Sequence, residues 1–596
     1  MSCLSEYYIR PIPGDPEYVQ RLQTEYELIE RNRFTRVFIQ VQKIVALARE
    51  LQIPFIIRGS AGSSLVCYLL GITHIDPIRY CIELARFMNS ARTDLPDIDI
   101  DVPYNRRQEL YMAIERVFPK QVARISNHIL YREKSAKKQA ERELPGANAV
   151  DLASRARELL GTKRTTSLHC GGIVIFEEEG EVPEDLLFTK PNGGDGLSQN
   201  LPQIILNKDE TESAGFIKID ILSNRALAQL ADISERPLLE YPHRDALTER
   251  LLARGENIGI TFAESRGMRS ILVGLQPRHM EDLAIALALI RPAAAMGGKK
   301  QEFLERWRMR LDIPDPMKRP IIFDDDAIAL LCLALSLTAA EADTYRKAFA
   351  KQNLQKCQEL RARLRVANYG SEFIEQFTDD LNQLSYYSFC KSHAISYAQI
   401  VWALAYWKAH RPHEFWIAAL NHCHSEYRQW VHRREAICAG LTLSRAPPPY
   451  RLGVRNGLPA AIPISVKEQA TLLPSNSPKQ MLADMREHGV WFSHGFLPGC
   501  YLTENQTTLD GKIFVEFCGL IATGRLVRHT GQRPVVLVCI GVANKRYIDL
   551  VIGAATSAIL GHTALRGKGI LTRRGAIETV EVVKIRGVSL EELFLS

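Results

Sequence analysis

The 596-residue sequence has no run of 18 apolar residues, no internal repeat, no low-complexity tract and no Cys-x-x-Cys pair. The missing apolar run excludes a membrane-spanning helix in the sequence. The missing repeat excludes a solenoid or propeller. Its twelve cysteines are scattered without a repeated spacing, so they read as reduced, mostly buried thiols rather than a disulfide framework. The single compact cluster, His422-Cys423-His424, falls short of the four ligands that a structural zinc site needs. The opening stretch MSCLSEYYIRPIPGDPEY is polar and broken by proline, which is no signal segment. The expected location is the cytoplasm.

What is present is ordinary in amount and informative in arrangement. Hydrophobic residues make up 46% and charged residues 24%, the proportions of a soluble globular protein. The length predicts three or four domains. A net charge of +7 with a pI near 8.7 suits a polyanionic partner.

The stretch Leu95-Pro96-Asp97-Ile98-Asp99-Ile100-Asp101 carries the most chemistry. Alternation along a strand puts Asp97, Asp99 and Asp101 on one face and Ile98 and Ile100 on the other. Like charges side by side repel, and a hard divalent cation removes that cost because carboxylate oxygens are what Mg²⁺ prefers. Two such ions support phosphoryl transfer. Upstream, Phe55-Ile56-Ile57 reads as a short strand, followed by RGSAGSSLVCYLLGI, a Gly/Ser turn running into an apolar helix. Small residues and a helix N-terminus favour a phosphate there. Downstream, Gly215 to Leu222 (GFIKIDIL) reads as a strand with the lone acid Asp220 in an apolar run, and a carboxylate so placed needs a partner or an ion.

Elsewhere the pattern is coarser. Residues 17–52 carry helical spacing that Pro54 stops, and 105–160 reads as helical and basic. LHCGGIVI at 168–175 turns into a β-branched strand. From 226 to 425 the spacing is helical, 426–480 is irregular around Pro447-Pro448-Pro449, and short strands from 500 onward predict a small barrel of the OB type.

Taken in order, RGSAGSSLVCYLLGITHIDP, RFMNSARTDLPDIDIDVPYNRR, LHCGGIVI, FIKIDIL, AEADTYRKAFAKQ and FCKSHAISYAQIVWALAYWKAHRPHEFWIAAL resemble the bacterial C-family DNA polymerases. These are the α subunits of DNA polymerase III and their error-prone relatives. The resemblance implies an α+β multidomain fold: a polymerase-β-like nucleotidyltransferase palm (1–110 and 165–225), a small helical thumb (111–164), large helical fingers (226–425), a shortened helix-hairpin-helix and linker region (426–499), and a C-terminal OB-like β-barrel (500–596). It implies template-directed DNA synthesis on a primer 3′-hydroxyl with two Mg²⁺ ions held by Asp97, Asp99 and Asp220. Asp101 matches a family acid of either metal-binding or structural role. Gly59 and Ser60 match the turn that holds the incoming triphosphate; Lys391, Ser392 and His393 match the fingers segment near the nucleotide; and Arg346, with Lys347 and Lys351, matches basic positions there. Lys218, two residues before Asp220, is placed to meet a substrate phosphate.

The same resemblance implies primer-template DNA and deoxynucleoside triphosphates as partners, single-stranded template at the OB-like domain, and a sliding clamp, for which Leu590-Glu591-Glu592-Leu593-Phe594 is a faint candidate peptide beside the alternative of a turn packed on its own domain. The family's amino-terminal PHP domain finds no counterpart in the sequence, and only RNGLPAAIPIS stands where helical hairpins are expected. These departures predict low processivity and no built-in proofreading, with a translesion, repair or accessory replication role. Two readings compete: a catalytically inactive, polymerase-shaped DNA-binding accessory protein, and a template-independent nucleotidyltransferase.

Overall fold

The computed structural model describes residues 3–90, 98–176, 180–188, 201–290, 303–305, 307, 321–384, 389–422, 424–443, 448–455, 457–464, 482–485, 500–507, 513–527, 535–542, 547–553, 562–574 and 577–595. It is a mixed helix-and-strand protein of several bodies, and among the described residues no single helix is long and apolar enough to cross a membrane.

A five-stranded sheet positions the acids. Its strands are β1 (Ile56–Arg58), β2 (Ile98–Pro103), β3 (Val122–Leu130), β4 (Lys163–Ile175) and β5 (Lys218–Asn224), in the spatial order β1-β2-β5-β4-β3. Only β2 and β5 run parallel; the other three pairings are antiparallel. Alternation sorts the side chains as expected. Ile98, Ile100, Val102, Ile219 and Ile221 enter one core with the helices Pro16–Arg31 and Thr35–Glu50. Asp99, Asp101, Lys218 and Asp220 are left on the opposite face. The strand β3 lies within the stretch read as helical. Its Val122, Ala123 and Ile125 are buried, while charged neighbours on both sides gave the segment its helical and basic look.

The helices that follow form the largest core, centred on the 20-residue helix Lys391–His410. Four helices between Asp324 and Leu384 make a separate small core. The described part of RNGLPAAIPIS, read as standing where helical hairpins are expected, instead falls in the antiparallel pair β6 (Tyr450–Arg455) and β7 (Leu458–Pro463). Gly457 supplies the turn, at φ +76°, a backbone region that side chains with a Cβ avoid.

Six more strands follow: β8 (Tyr501–Thr507), β9 (Ile513–Val527), β10 (Val535–Gly541), β11 (Tyr547–Gly553), β12 (Ala564–Arg574) and β13 (Ile577–Val588). Pairing runs β9-β10-β11-β13-β12 and back to β9, with β8 added outside β9. This is a closed five-stranded barrel with one parallel pair, β11 and β13, and it fits an OB-fold. The short helix Leu590–Leu595 packs against the protein through Leu593, which is 1% exposed. The candidate clamp peptide is therefore docked on its own chain, with its leucine anchor unavailable to a partner in this arrangement.

Candidate active site

Asp99 and Asp220 stand directly opposite each other across the parallel pair β2 and β5, though 121 residues separate them in the chain. On the other side of Asp99 the register places Arg58, the last residue of β1, and on the other side of Asp220 it places Gly172. Asp97 lies outside the described residues.

Each of the described acids has a distinct environment. Asp101 is fully buried and saturated: it takes an ion pair from Arg58 Nη2 at 2.6 Å, a hydrogen bond from Asn224 Nδ2 at 2.8 Å and one from the Tyr397 hydroxyl at 2.7 Å. Burial, reinforced by the Asp101 carboxylate, pushes the Tyr397 hydroxyl well up, so it stays a donor. Asp101 is thus a structural anchor. Asp220 is different. Its Oδ2 accepts from Lys218 Nζ at 2.6 Å, while its Oδ1 is buried with no hydrogen-bond partner. A buried carboxylate oxygen without a donor is costly, and a cation resolves it. His169 Nδ1 lies 3.6 Å from that oxygen. It already accepts the Gly172 N–H at 2.8 Å, which assigns the ring proton to Nε2. Burial holds His169 below its ordinary value, with Asp220 pulling the other way.

Among the described residues no group of three His, Cys, Asp or Glu side chains is gathered to hold a metal. Two features account for this: one of the three expected acids is outside the described residues, and Lys218, 4% exposed, supplies the positive charge beside Asp220. The adjacent pair of hard oxygen donors and the unsatisfied Asp220 Oδ1 fit a divalent cation of the Mg²⁺ type.

The Gly/Ser turn folds otherwise than a free phosphate cradle. Residues Gly59–Ser63 form one 3₁₀ turn, then the helix Leu65–Leu69 begins. The N–H groups of Leu65 and Val66 are already taken by the carboxylate of Glu25, at 2.8 and 3.0 Å, and Glu25 also accepts from the Ser64 hydroxyl at 2.6 Å and from Arg21 at 2.8 Å. A buried anion of the protein sits where the helix N-terminus was expected to meet phosphate. Gly59 remains: at φ +78° it has nothing within 4 Å of where a Cβ would stand.

The Lys391 helix closes on this turn by its first residues. Ser392 Oγ donates to the Gly59 carbonyl at 2.8 Å, and His393 Nδ1 accepts the Gly59 N–H at 3.2 Å. A Cβ on Gly62 would meet Ser392 Cβ at 2.9 Å, so only glycine permits this approach. The His393 ring stacks on Tyr397 at 4.6 Å and 8°, which returns the network to Asp101. The structure therefore brings Gly59, Ser392 and His393 beside the strand pair that carries Asp99, Asp220 and Lys218. Ser60, the next residue of the turn, is partly exposed.

Arg346 lies elsewhere. It is 7% exposed and holds Asp343 at 2.8 Å and Asp324 at 3.4 Å, and Arg86 holds the same Asp324 at 2.5 Å. Lys347 also pairs with Asp343, at 3.0 Å. Lys391 belongs to the edge of that network: its N–H donates to Asp325 at 3.1 Å and its Nζ to the Cys81 carbonyl at 3.3 Å. His422 is engaged by Asp232 at 2.8 Å; Cys423 lies outside the described residues.

Glu25, Arg58 and His169 are the site residues that sequence reasoning passed over. Glu25 carries no motif, being one acid in an amphipathic helix. Arg58, His169 and Tyr397 all stood inside quoted motifs.

Residues 3–152 match the family model of the bacterial DNA polymerase III alpha NTPase domain, and residues 224–368 match that of the bacterial DNA polymerase III alpha subunit finger domain. The DNA polymerase III subunit alpha of Thermotoga maritima is 32% identical over 410 residues, covering 68% of this chain and 47% of that protein. The error-prone DNA polymerase of Methylococcus capsulatus is 30% identical over 469 residues, covering 68% and 44% respectively. That of Bordetella bronchiseptica is likewise 30% identical, over 465 residues, covering 68% and 44%. The chain thus spans somewhat under half the length of these relatives. Two collinear domain matches and relatives that agree along two thirds of the sequence place this chain in the family of bacterial C-family DNA polymerases, with the DNA polymerase III alpha subunits and the error-prone polymerases.

Proposed function

We propose that the chain carries out template-directed DNA synthesis, extending a primer 3′-hydroxyl with deoxynucleoside triphosphates. The single observation that carries this is the register Asp99 opposite Asp220, with an unsatisfied carboxylate oxygen between the strands. In this reading the strands β1 to β5 are the palm, the stretch 111–164 is the thumb, and the helices from 226 to 425 are the fingers. Asp97, Asp99 and Asp220 hold two Mg²⁺ ions. Those ions, when bound, lower the pKa of the attacking hydroxyl and neutralise charge on the leaving pyrophosphate.

The chain's own residues do the rest. Arg58, Asn224 and Tyr397 fix β2 through Asp101, so the oxygens of Asp99 are presented from a rigid strand. Lys218 neutralises Asp220 before substrates arrive and is placed to turn to a phosphate afterwards. Gly59 and Ser60, backed by Ser392 and His393, present the turn to the triphosphate, with Lys391 at its margin. Arg346 reaches the nucleotide only by leaving Asp324 and Asp343. Base pairing reads sequence, so the protein holds backbone and its binding is salt-sensitive. The barrel holds single-stranded template by charge and stacking.

Primer extension with Mg²⁺ tests this. Asp99→Asn and Asp220→Asn are each expected to fall below about one hundredth of wild-type rate, with unchanged primer-template binding in high salt. Wild-type rates in both variants would end the catalytic reading. The Lys218–Asp220 ion pair is also what an inactive, polymerase-shaped DNA-binding protein would display; no extension by the wild type, with DNA binding intact, selects that reading.

A further inference from the structure

The outer face of the barrel carries a second concentration of charge. On the antiparallel strands β12 and β13, Arg566 stands opposite Arg586 and Lys568 opposite Lys584. Like charges directly opposite destabilise a sheet, and here two such rungs are adjacent. Leu565 and Ile585, which neighbour these residues on the same side of the register shift, pack in the barrel core, so the four cations lie on its outside. Arg566, Arg586 and Lys568 side chains are 32%, 54% and 63% exposed. Between the rungs, a Cβ on Gly567 would lie 2.3 Å from the Lys584 carbonyl oxygen, so the two backbones approach closely and crowd the cations. On the neighbouring strand β9, Phe514 is 40% exposed. A cationic ladder flanked by an exposed aromatic is what a single strand needs: charge for its phosphates and a surface for a base.

Each rung already meets an anion: Lys568 pairs with Glu516 of β9, and the arginine rung meets a carboxylate from outside the barrel. Glu592, on the helix Leu590–Leu595, accepts from Arg586 Nη2 at 2.5 Å and Nη1 at 3.0 Å, and from Arg566 Nη1 at 3.4 Å. Two guanidinium groups converging on one set of oxygens is the geometry that recognises phosphate. Leu593 anchors the helix, and Ser589 Oγ accepts the Glu592 N–H at 3.1 Å. Glu592 itself is 35% exposed, and ion pairs at that exposure hold weakly.

We propose that Glu592 is a built-in stand-in for a backbone phosphate: the helix Leu590–Leu595 covers the Arg566–Arg586 rung of a face that takes single-stranded nucleic acid, and the incoming strand displaces the carboxylate. This rests on the reading that the barrel holds single-stranded template and adds to it a regulated occupancy. The cover sets a threshold: a strand long enough to engage the Lys568–Lys584 rung as well displaces Glu592, whereas a mononucleotide does not.

The test uses the full chain and a labelled oligothymidylate, with anisotropy titrations over a series of KCl concentrations. Glu592→Gln keeps the Leu593 anchor and is expected to bind about fivefold tighter with the same log–log salt slope, since once the carboxylate is displaced both forms contact the same phosphates, each worth about 0.7 on a single strand. Glu592→Lys, which reverses the charge, is expected to bind tighter still. Arg566→Gln/Arg586→Gln is expected to weaken binding and to abolish the effect of Glu592→Gln. If the arginine pair variant binds less tightly while Glu592→Gln and Glu592→Lys match wild type, the cover is refuted and the barrel reading stands. If the arginine pair variant matches wild type, this face is not the strand site. If no form of the chain binds the oligonucleotide, both readings fall.

Discussion

Asp99 and Asp101 are two residues apart on one strand face, and their surroundings assign them opposite tasks. Asp101 is enclosed by Arg58, Asn224 and Tyr397, whereas Asp99 stands against Asp220. Removing the charge of Asp101 leaves the Arg58 guanidinium, 30% exposed, without its counter-ion. Asp101→Asn is therefore expected to cost about 3 kcal/mol, read as a lower urea midpoint, with extension by the surviving folded fraction retained. Asp99→Asn is expected to do the reverse: lost extension with a midpoint within about 0.5 kcal/mol of wild type. Alternation in the sequence placed both acids on one face, but it carried no information about which of them the rest of the chain would neutralise. The neutralising partners come from 43 residues before and 296 after.

At the level of elements, the helix Asp324–Leu335 shows how three consecutive acids diverge. Asp324 takes two arginines, Asp325 accepts the N–H groups of Glu83 at 3.2 Å and Lys391 at 3.1 Å, and Asp326 caps its own helix through Ile322 and Phe323. Burial raises Asp326 from 3.8 to about 6, against the lowering by those two N–H donors. A carboxyl whose pKa is raised on folding contributes stability that is complete below its unfolded pKa and is lost as pH rises through the folded one. Between pH 4 and pH 7 this amounts to about 2 kcal/mol. Asp326→Asn is expected to lose that term, so its stability relative to wild type improves by a comparable amount across the same interval in urea titrations.

Elements were legible where alternation was clean. The strands around IDIDV and IKIDIL, and a run of short strands after residue 500, stand where the pattern put them. Three kinds of strand escaped. In β12, Gly567, Gly569 and the interleaved cations hide a buried stripe. In β3, basic neighbours gave a helical look. The pair β6 and β7 was read through family expectation rather than through the Asn-Gly dipeptide in its sequence, which is the stronger local signal. The Gly/Ser turn illustrates a different limit: Glu25 fills its helix terminus from a helix that gives no local hint of doing so.

At the scale of the molecule, the barrel is fastened to the helical body by the helix Gln429–Cys438 and its neighbours. Trp430, 3% exposed, donates its indole N–H to the Ile521 carbonyl at 3.2 Å. The Arg428 N–H reaches Ala522 at 2.9 Å, and Arg266 pairs with Asp549 at 2.8 Å. Trp430→Ala is expected to cost about 3–5 kcal/mol at this contact. Calorimetry should then separate a lower-melting transition, and hydrogen exchange should assign it to the strands β8 to β13.

The parallel pairing of β2 with β5 has a temporal corollary. A parallel neighbour cannot be supplied by a hairpin, so the intervening chain must be made first. The Gly59 turn waits longer still for His393, 334 residues away. On a ribosome, an emerging chain therefore carries Asp99 without its strand neighbour until β5, 121 residues later, has been made. In the proposed reading, extension activity awaits the exit of the segment containing Lys391 from the tunnel, so truncated translation products ending before it are expected to be inert.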